Sequence, residues 1–187
     1  MAKRYWLVKS DPATFGLAEL AASPERTTRW DGVRNYQARN HLRDDMQPGD
    51  GVLFYHSQSD PPAVVATAKV VGAGYPDPTQ FDRKSPGHEP RAKPDQPVWY
   101  AVDIQLDEVL GRPVTLSEMR DEAGLRQMVL LRKGSRLSVQ PVSAAEWRIV
   151  IALGSRRPGA GKGKVRAGAY PLRKIGNSGN WGKTCSS

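Results

Sequence analysis

The chain has 187 residues, of which 39% are hydrophobic and 25% are charged, a composition typical of a globular domain with its own core. This composition excludes a largely disordered chain, and no segment approaches the roughly 18 apolar residues of a membrane-spanning helix. The single cysteine, Cys185, excludes an internal disulfide and fits a reducing compartment, so we expect a cytoplasmic protein, or a nuclear one in a cell with a nucleus.

The formal net charge of +9 is concentrated at the carboxyl end of the chain. Residues 155–187 contain eight Lys and Arg residues and no acidic residue, which leaves a charge of +1 for residues 1–154. We therefore predict a nearly neutral domain over 1–154 and a flexible, basic, Gly-rich tail over 155–187. The tail would attract phosphates, whereas the domain has too little net charge for recognition through a general basic surface.

The amino-terminal half of the domain predicts short strands and two helices. Residues 4–9 predict a first strand, and residues 14–22 predict a short helix. Residues 35–46 predict a second helix with Asn35 as its N-cap. Two strands rich in β-branched residues follow: 51–57 and 63–71.

The second half of the domain begins with a Pro-rich stretch over 74–97, which predicts a loop of the length typical of functional loops. Alternation of apolar residues over 98–106 is the clearest strand signal in the chain. Thr115 and Glu118 have capping-box spacing and predict the start of a third helix. A strand and a helix complete the domain: 136–142 and 143–153. This order, without a βαβ rhythm, favours a small mixed or barrel-like sheet flanked by helices.

Patterns for catalytic and metal-binding sites are weak. The histidines His41, His56 and His88 lack metal-ligand spacing, and one cysteine cannot form a zinc cluster, so no metal or other cofactor is predicted. His56 and Ser57 are neighbours on a predicted strand, so their side chains point to opposite faces and cannot form a nucleophile–base dyad. The segment GNSGNWGKT at 176–184 has one residue too many for a phosphate-binding loop.

The tryptophans separate into packing residues and a candidate binding residue. Trp6 and Trp147 lie within apolar patterns and are predicted core residues. Trp99, on the less apolar face of its strand, is either a stacking platform or simply packed. Trp30 lies outside any apolar period, on the turn WDG, and planar polar side chains follow it over 35–40. It is the candidate ligand-binding aromatic, although aromatic residues are more often buried for packing.

Six segments together resemble the EVE domain, the family of thymocyte nuclear protein and its bacterial relatives. In chain order they are YWLVKSDP at 5–12, WDGVRNYQARN at 30–40, GDGVLFYHS at 49–57, YPDPTQFD at 75–82, WYAVDI at 99–104 and LLRKGSRLSVQPVSAAEW at 130–147. The resemblance runs from residue 4 to residue 153. The chain departs from the family pattern at Asp11, where the usual residue is Glu, and at Gly87-His88, which replaces an aromatic pair.

The resemblance implies an α+β, PUA-like fold, which is a curved and partly closed β-barrel with flanking helices. The related YTH domains hold a methylated adenine in an aromatic pocket, and EVE domains are accordingly expected to read modified bases in DNA or RNA. Carried over to this sequence, the ligand-binding residues lie at strand ends and at the start of the second helix: Lys9, Ser10, Trp30, Asn35, Tyr36, Gln37, Arg39, His56, Ser57 and Gln140.

Three hypotheses follow for the function. The first is a non-catalytic reader of a flipped, modified base in nucleic acid, with no role at a membrane. The alternative is an enzyme that acts on a nucleotide or small acidic ligand in the same pocket, with Lys9, His56 and Arg39 as working groups. The third is an interaction module whose 74–97 loop or basic tail recruits a nuclease or another partner from a modification system.

Overall fold

The computed structural model describes residues 3–155. The basic tail predicted over 155–187 lies outside the described residues except for Ser155, the last residue of a helix. No helix within residues 3–155 combines the length and the apolar character that crossing a bilayer requires.

The domain contains seven strands and four α-helices within these residues. The strands are β1 Tyr5–Ser10, β2 Thr27–Trp30, β3 Gly51–His56, β4 Ala63–Val70, β5 Tyr75–Pro76, β6 Tyr100–Thr115 and β7 Val139–Val142. The helices are α1 Leu17–Ala22, α2 Tyr36–Asn40, α3 Leu116–Asp121 and α4 Ala144–Ser155. A π-helical turn over His41–Asp45 continues α2, and single 3₁₀ turns lie at Pro24–Arg26, Pro78–Gln80, Ala123–Leu125 and Val129–Leu131.

The strands form one mixed, curled sheet in the order β2-β6-β4-β3-β1-β7, with β5 paired to the start of β6. All pairs are antiparallel except β1 with β3, which run parallel with Ser10 opposite His56. The register of β4 against β6 shifts twice, and such bulges increase the twist that curls a sheet. Because β2 and β7 are the outer strands of this order, the barrel is partly closed. The expected α+β, partly closed barrel with flanking helices is confirmed.

Strand alternation divides the core between the two faces of the sheet. Trp6, Val8 and Phe54 belong to one cluster, which we call the first face and which α1 and α2 cover. Leu7 and Leu53 belong to the other cluster, which we call the second face and which α3 and α4 cover. Because alternate side chains on a strand point to opposite sides, consecutive residues at a strand end serve different faces.

Trp30 differs from its prediction. It is the last residue of β2, paired with Val102 of β6, rather than a residue of an exposed turn. Its side chain lies against Phe54 and is only 9% exposed. The sequence concealed this strand because Thr28 and Arg29, which precede Trp30, give no apolar alternation.

Tyr36, one of the predicted ligand-binding residues, lies on the side of its helical segment opposite the core. The buried residues of this segment are Ala38, Leu42 and Met46, spaced four apart. Tyr36 precedes Ala38 by two positions, about 200° around a helix, and is therefore turned to solvent with 51% of its surface exposed.

The clearest predicted strand, 98–106, is longer than its pattern indicated, since β6 extends to Thr115. Pairing with β4 continues as far as Thr115 opposite Ala63. Pairs on either side of a register shift, Val109 with Ala66 and Val114 with Val64, keep the strand extended across Gly111 and Pro113, which local propensity disfavours in strands.

The 74–97 loop is held in place by the buried carboxylate of Asp77. This carboxylate accepts hydrogen bonds from the backbone N–H of Gly32 at 3.1 Å, from Arg34 Nη1 at 2.8 Å, and from both the N–H and the hydroxyl of Thr79. Burial opposes ionisation of Asp77, but the hydrogen bonds from Thr79 and Arg34 outweigh it and hold the pKa below its ordinary value. The loop is thereby tied to the turn that follows β2.

A second buried side chain, Gln80, secures the same loop. Its Nε2 donates to the carbonyl oxygens of Asp77 and Trp99 at 2.9 and 2.8 Å. Its Oε1 accepts from the N–H groups of Val98 and Trp99. All donors and acceptors of this amide are therefore used, so the long loop is an ordered part of the domain.

We predict that Asp77→Ala lowers the free energy of unfolding by about 2–4 kcal/mol, because it leaves Arg34 and several buried N–H donors without their acceptor. Urea unfolding measures this change. Asp95→Ala, which removes an exposed carboxylate from the same loop, is the matched control and should change stability by less than about 0.5 kcal/mol. Equal effects of the two substitutions would contradict the anchoring role of Asp77.

Candidate functional site

The carboxyl ends of β1 and β3 bring four of the predicted binding residues together. Ser10 lies opposite His56 in the parallel register. The N–H and the Oγ of Ser57 both donate to the carbonyl oxygen of Ser10, at 2.8 and 3.1 Å. Lys9 completes the group and pairs through its N–H with the Ser138 carbonyl oxygen at 2.9 Å. Residues 47 positions apart in the sequence therefore form one strand-end cluster.

The side chains of this cluster divide between the two faces of the sheet. Ser10 and His56 continue the alternation of the first face, whereas Lys9 and Ser57 continue that of the second. The predicted binding residues therefore do not all line one pocket at this edge of the sheet.

His56 supplies a buried hydrogen-bond donor on the first face. Its Nε2 lies 3.1 Å from the backbone N of Leu17 and accepts that N–H. Burial lowers the pKa of His56 below its ordinary value, so the ring is neutral at pH 7 and its proton lies on Nδ1. Nδ1 is buried and has no hydrogen-bond partner within residues 3–155. A buried donor without a partner costs about 1–3 kcal/mol, and a ligand that carries an acceptor would relieve that cost.

The hydroxyl group of Ser10 fixes the segment that holds the imidazole of His56. Its Oγ donates to the carbonyl oxygen of Phe15, in the segment between β1 and α1. That segment leads directly to Leu17, whose N–H binds His56. The hydroxyl of Ser10 therefore positions the backbone that orients the imidazole.

Aromatic rings extend from His56 across the first face. Phe54 lies edge-on to His56, with ring centroids 5.6 Å apart, and edge-on to Trp30 at 5.9 Å. Trp30 is thus joined to the strand-end cluster through Phe54. The three rings form an edge-to-face row in which Phe54 is fully buried, with the polar imidazole at one end.

The predicted residues at the start of α2 form a separate group around Tyr36. Its ring lies 5.0 Å from that of Trp99, with an angle of 32° between the planes, and the Arg39 guanidinium lies 4.9 Å from the centroid of Tyr36. Trp99, left open between platform and packing residue, is 5% exposed and lies beneath this stack. Arg39 also donates to the carbonyl oxygen of Val98 at 3.1 Å.

The two amides of this segment have different roles. Asn35 Oδ1 accepts the N–H of Ala38 at 3.0 Å, which confirms the predicted N-cap and leaves only its NH₂ group for a ligand. Gln37 is exposed and makes no side-chain hydrogen bond within residues 3–155, so its donor and acceptor are both available.

On the second face, Lys9 and Ser57 line an open cavity of about 490 Å³, which we call the basic cleft. Its other walls are Tyr55, two residues of α3 and the loop 130–136. This cleft was not predicted from the sequence, although three cations within the five residues RKGSR at 132–136 were a visible signal.

Gln140 stands behind the basic cleft rather than in its lining. Its side chain is buried, and Nε2 donates to Ser135 Oγ at 3.1 Å and to the Leu137 carbonyl oxygen at 2.9 Å. Gln140 therefore supports the loop that forms the cleft wall.

The reactive groups of the cluster are turned away from one another. His56 and Ser57 point to opposite faces, and Lys9 Nζ donates to the Ser135 carbonyl oxygen at 3.1 Å. Burial lowers the pKa of Lys9. No group of three or more metal-ligating side chains occurs within residues 3–155.

Comparison with known proteins identifies close relatives of the chain. The model of the EVE domain matches residues 4–153. Thymocyte nuclear protein 1 of Danio rerio is 39% identical over 170 residues, which cover 82% of this chain and 73% of that protein.

Two solved structures resemble the fold over most of its length. A Pseudomonas putida protein is 43% identical and has a TM-score of 0.76, covering 80% of this chain and 99% of that one. The human THYN1 protein, in complex with 5-methylcytosine-containing DNA, is 37% identical and has a TM-score of 0.78. That comparison covers 83% of this chain and all of the THYN1 chain.

We predict that protonation of His56 destabilises the fold below about pH 6.5, its usual pKa in an unfolded chain. Because the pKa of His56 is lowered in the folded state, the unfolded state binds more protons in this range, and stability falls as the pH falls towards the folded pKa. The loss is at most about 1.4 kcal/mol per pH unit.

Urea unfolding between pH 7.5 and pH 5 tests this prediction. His56→Gln should remove this part of the pH dependence, whereas His88→Gln, the same substitution in the 74–97 loop, should retain it. Identical pH profiles for the wild type and His56→Gln would show that the imidazole is not held neutral by burial.

Proposed function

The chain belongs to the EVE domain family, and from this premise we propose that it is a non-catalytic reader of a modified base in DNA, with 5-methylcytosine as the base. The observation that carries this proposal is the likeness to the human THYN1 protein in complex with 5-methylcytosine-containing DNA, which extends over 83% of the chain. It stays a prediction that the protein binds RNA, and it stays a prediction that the protein recruits a nuclease.

The first face has the groups that a flipped base requires. A base that is read individually leaves the stack and is held by contact with aromatic rings and by hydrogen bonds to its edge. Trp30, which packs on the buried Phe54, supplies the aromatic ring, and the Nδ1–H of His56 supplies a buried donor without a partner among residues 3–155. Ser10 supports this arrangement through the segment that holds the imidazole.

The neutral imidazole would distinguish a methylated cytosine from thymine, which carries the same methyl group. Cytosine has a hydrogen-bond acceptor at N3, whereas thymine has an N3–H donor there. A fixed N–H donor on His56 would form a hydrogen bond with N3 of cytosine and would repel the N3–H of thymine. An unpaired donor costs about 1–3 kcal/mol, which corresponds to roughly 5- to 150-fold in affinity.

Discrimination between 5-methylcytosine and cytosine rests on a smaller effect. Burial of one methyl group contributes about 0.8 kcal/mol, or roughly fourfold in affinity. A larger preference requires a pocket that penalises the unmodified base, for example through a space that only the methyl group fills.

The group at the start of α2 suits the rim of this site. The exposed ring of Tyr36, flanked by Arg39, is a platform on which a neighbouring base would stack. Gln37 and the NH₂ group of Asn35 would donate hydrogen bonds to the bound strand. These four residues are proposed as strand contacts rather than as the walls of the base pocket.

We predict that single-stranded oligonucleotides with one central 5-methylcytosine bind at least about fourfold more tightly than their cytosine twins, and at least about fivefold more tightly than their thymine twins. His56→Gln should abolish the preference over thymine, because a Gln amide can turn its oxygen toward an N3–H. It should leave the preference over cytosine in place. Fluorescence anisotropy at one fixed salt concentration measures all three affinities.

His88→Gln is the matched control for this prediction and should leave both preferences unchanged. Equal binding of 5-methylcytosine and cytosine by the wild type would overturn the reader function. Equal binding of 5-methylcytosine and thymine alone would remove His56 from the base edge.

We predict that Trp30→Phe weakens the binding of all three oligonucleotides by a similar factor, of up to about tenfold, and leaves their ratios unchanged. Every base can stack on a ring face, so loss of ring area lowers the affinity for all bases and leaves the selectivity between them unchanged. Phenylalanine keeps an aromatic side chain in the core, and thermal melting would verify the fold. Trp147→Phe, which alters the ring stacked on Tyr5 at 4.6 Å on the second face, should not affect binding. Unchanged affinity in folded Trp30→Phe would exclude Trp30 from the site.

A further inference from the structure

The basic cleft carries a local excess of positive charge that the domain does not balance. Within the described part of the chain no Asp or Glu residue lines it, and the five cationic side chains found there are Lys9, Arg120, Arg132, Lys133 and Arg136. None of these five forms an ion pair with a carboxylate within residues 3–155. Since residues 1–154 have a formal charge of +1, the rest of the domain carries −4. The cleft is therefore a focused cationic site on a domain that is otherwise acidic.

The backbone of the cleft wall is held in place before any ligand binds. The N–H of Ser135 donates to the carbonyl oxygen of Arg132 at 3.2 Å and closes a tight turn. Gly134 has a φ of 78°, a left-handed conformation that glycine adopts readily and that this turn requires. Gln140 fixes the other end of the turn through Ser135 Oγ, so Arg132 and Lys133 extend from a backbone with little freedom to lose.

The cleft adjoins the site proposed for the base. Lys9 and Ser57 line the cleft, while the adjacent Ser10 and His56 serve the first face of the same strand ends. Ser57 is bound directly to Ser10 by two hydrogen bonds. Only the ends of β1 and β3 therefore separate the two sites, and a strand that places a base on one face would pass this edge.

We infer that the basic cleft binds phosphates of the DNA strand on either side of the nucleotide held on the first face, an inference that rests on the proposed function. Arginine forks and lysine ammonium groups are the side chains that bind phosphate oxygens in proteins. The volume of about 490 Å³ lies within the range of ligand-binding clefts and exceeds the needs of a lone anion. The same chemistry would bind the phosphate of a free nucleotide, which the experiment distinguishes.

The test compares two paired substitutions in the full chain. Arg132→Gln with Lys133→Gln removes two cations from the cleft. Arg83→Gln with Lys84→Gln removes an adjacent, exposed Arg-Lys pair from the 74–97 loop and is the matched control. Both variants keep the basic tail and have the same net charge, and thermal melting verifies that both are folded.

Binding of the 5-methylcytosine oligonucleotide is measured over a range of salt concentrations. Each phosphate contact with a single strand contributes about 0.7 to the slope of log K against log salt. The variant with Arg132→Gln and Lys133→Gln should therefore show a slope smaller in magnitude by about 1.4. Its binding should be weaker by on the order of 25-fold at 0.1 M salt. The preference for 5-methylcytosine over thymine should be unchanged, since phosphate contacts do not read the base.

Equal slopes for the cleft variant and the control variant would overturn the inference. Displacement of the oligonucleotide by 5-methyl-dCMP at a similar concentration, weakened by the cleft substitutions and not by the control pair, would also overturn it, because the occupant of the cleft would then be a free nucleotide. The proposed function fails separately. If the wild type does not prefer 5-methylcytosine but the slope difference remains, the reader function is overturned and the phosphate site is supported.

Discussion

The parallel pairing of β1 with β3 is the constraint on which the candidate site depends. The two strands are joined by a segment that contains α1, β2 and α2, so that their carboxyl ends meet at one edge of the sheet. Parallel register places Ser10 beside His56, and the hydrogen bonds from Ser57 to Ser10 extend the contact beyond the last strand residue. A shift of one residue would move every side chain at this edge to the opposite face.

Alternation along the same two strands gives this edge two different surfaces. The first face carries the aromatic rings and the donor of His56 that has no partner among residues 3–155, whereas the second face carries the basic cleft. Recognition of a nucleotide requires both chemistries, because the base is largely apolar with a polar edge and the phosphate is an anion. Under the proposed function, this strand end would supply base contacts on one face and phosphate contacts on the other.

Asp77 connects the irregular 74–97 loop to the turn that follows β2. A buried carboxylate is costly unless it is paired, and this one is satisfied by Arg34, Thr79 and the N–H of Gly32. The 74–97 loop and the turn after Trp30 are therefore joined at one point. Gly32 and Arg34, which Asp77 binds, lie in the chain between Trp30 and Tyr36.

The sequence alone determined the features that depend on neighbouring residues. The N-cap at Asn35, the capping box of Thr115 with Glu118, and the core position of Trp6 were all predictable, because local hydrogen bonds and strand alternation leave short-range patterns. The family motifs, which occur in the expected order along the chain, predicted the fold and predicted that the ends of β1 and β3 lie together. Only the tertiary structure decided the burial of Trp30, since its strand pairs with β6 more than 70 residues away. It alone revealed the basic cleft, because whether a cation is neutralised depends on which carboxylates the fold brings near it.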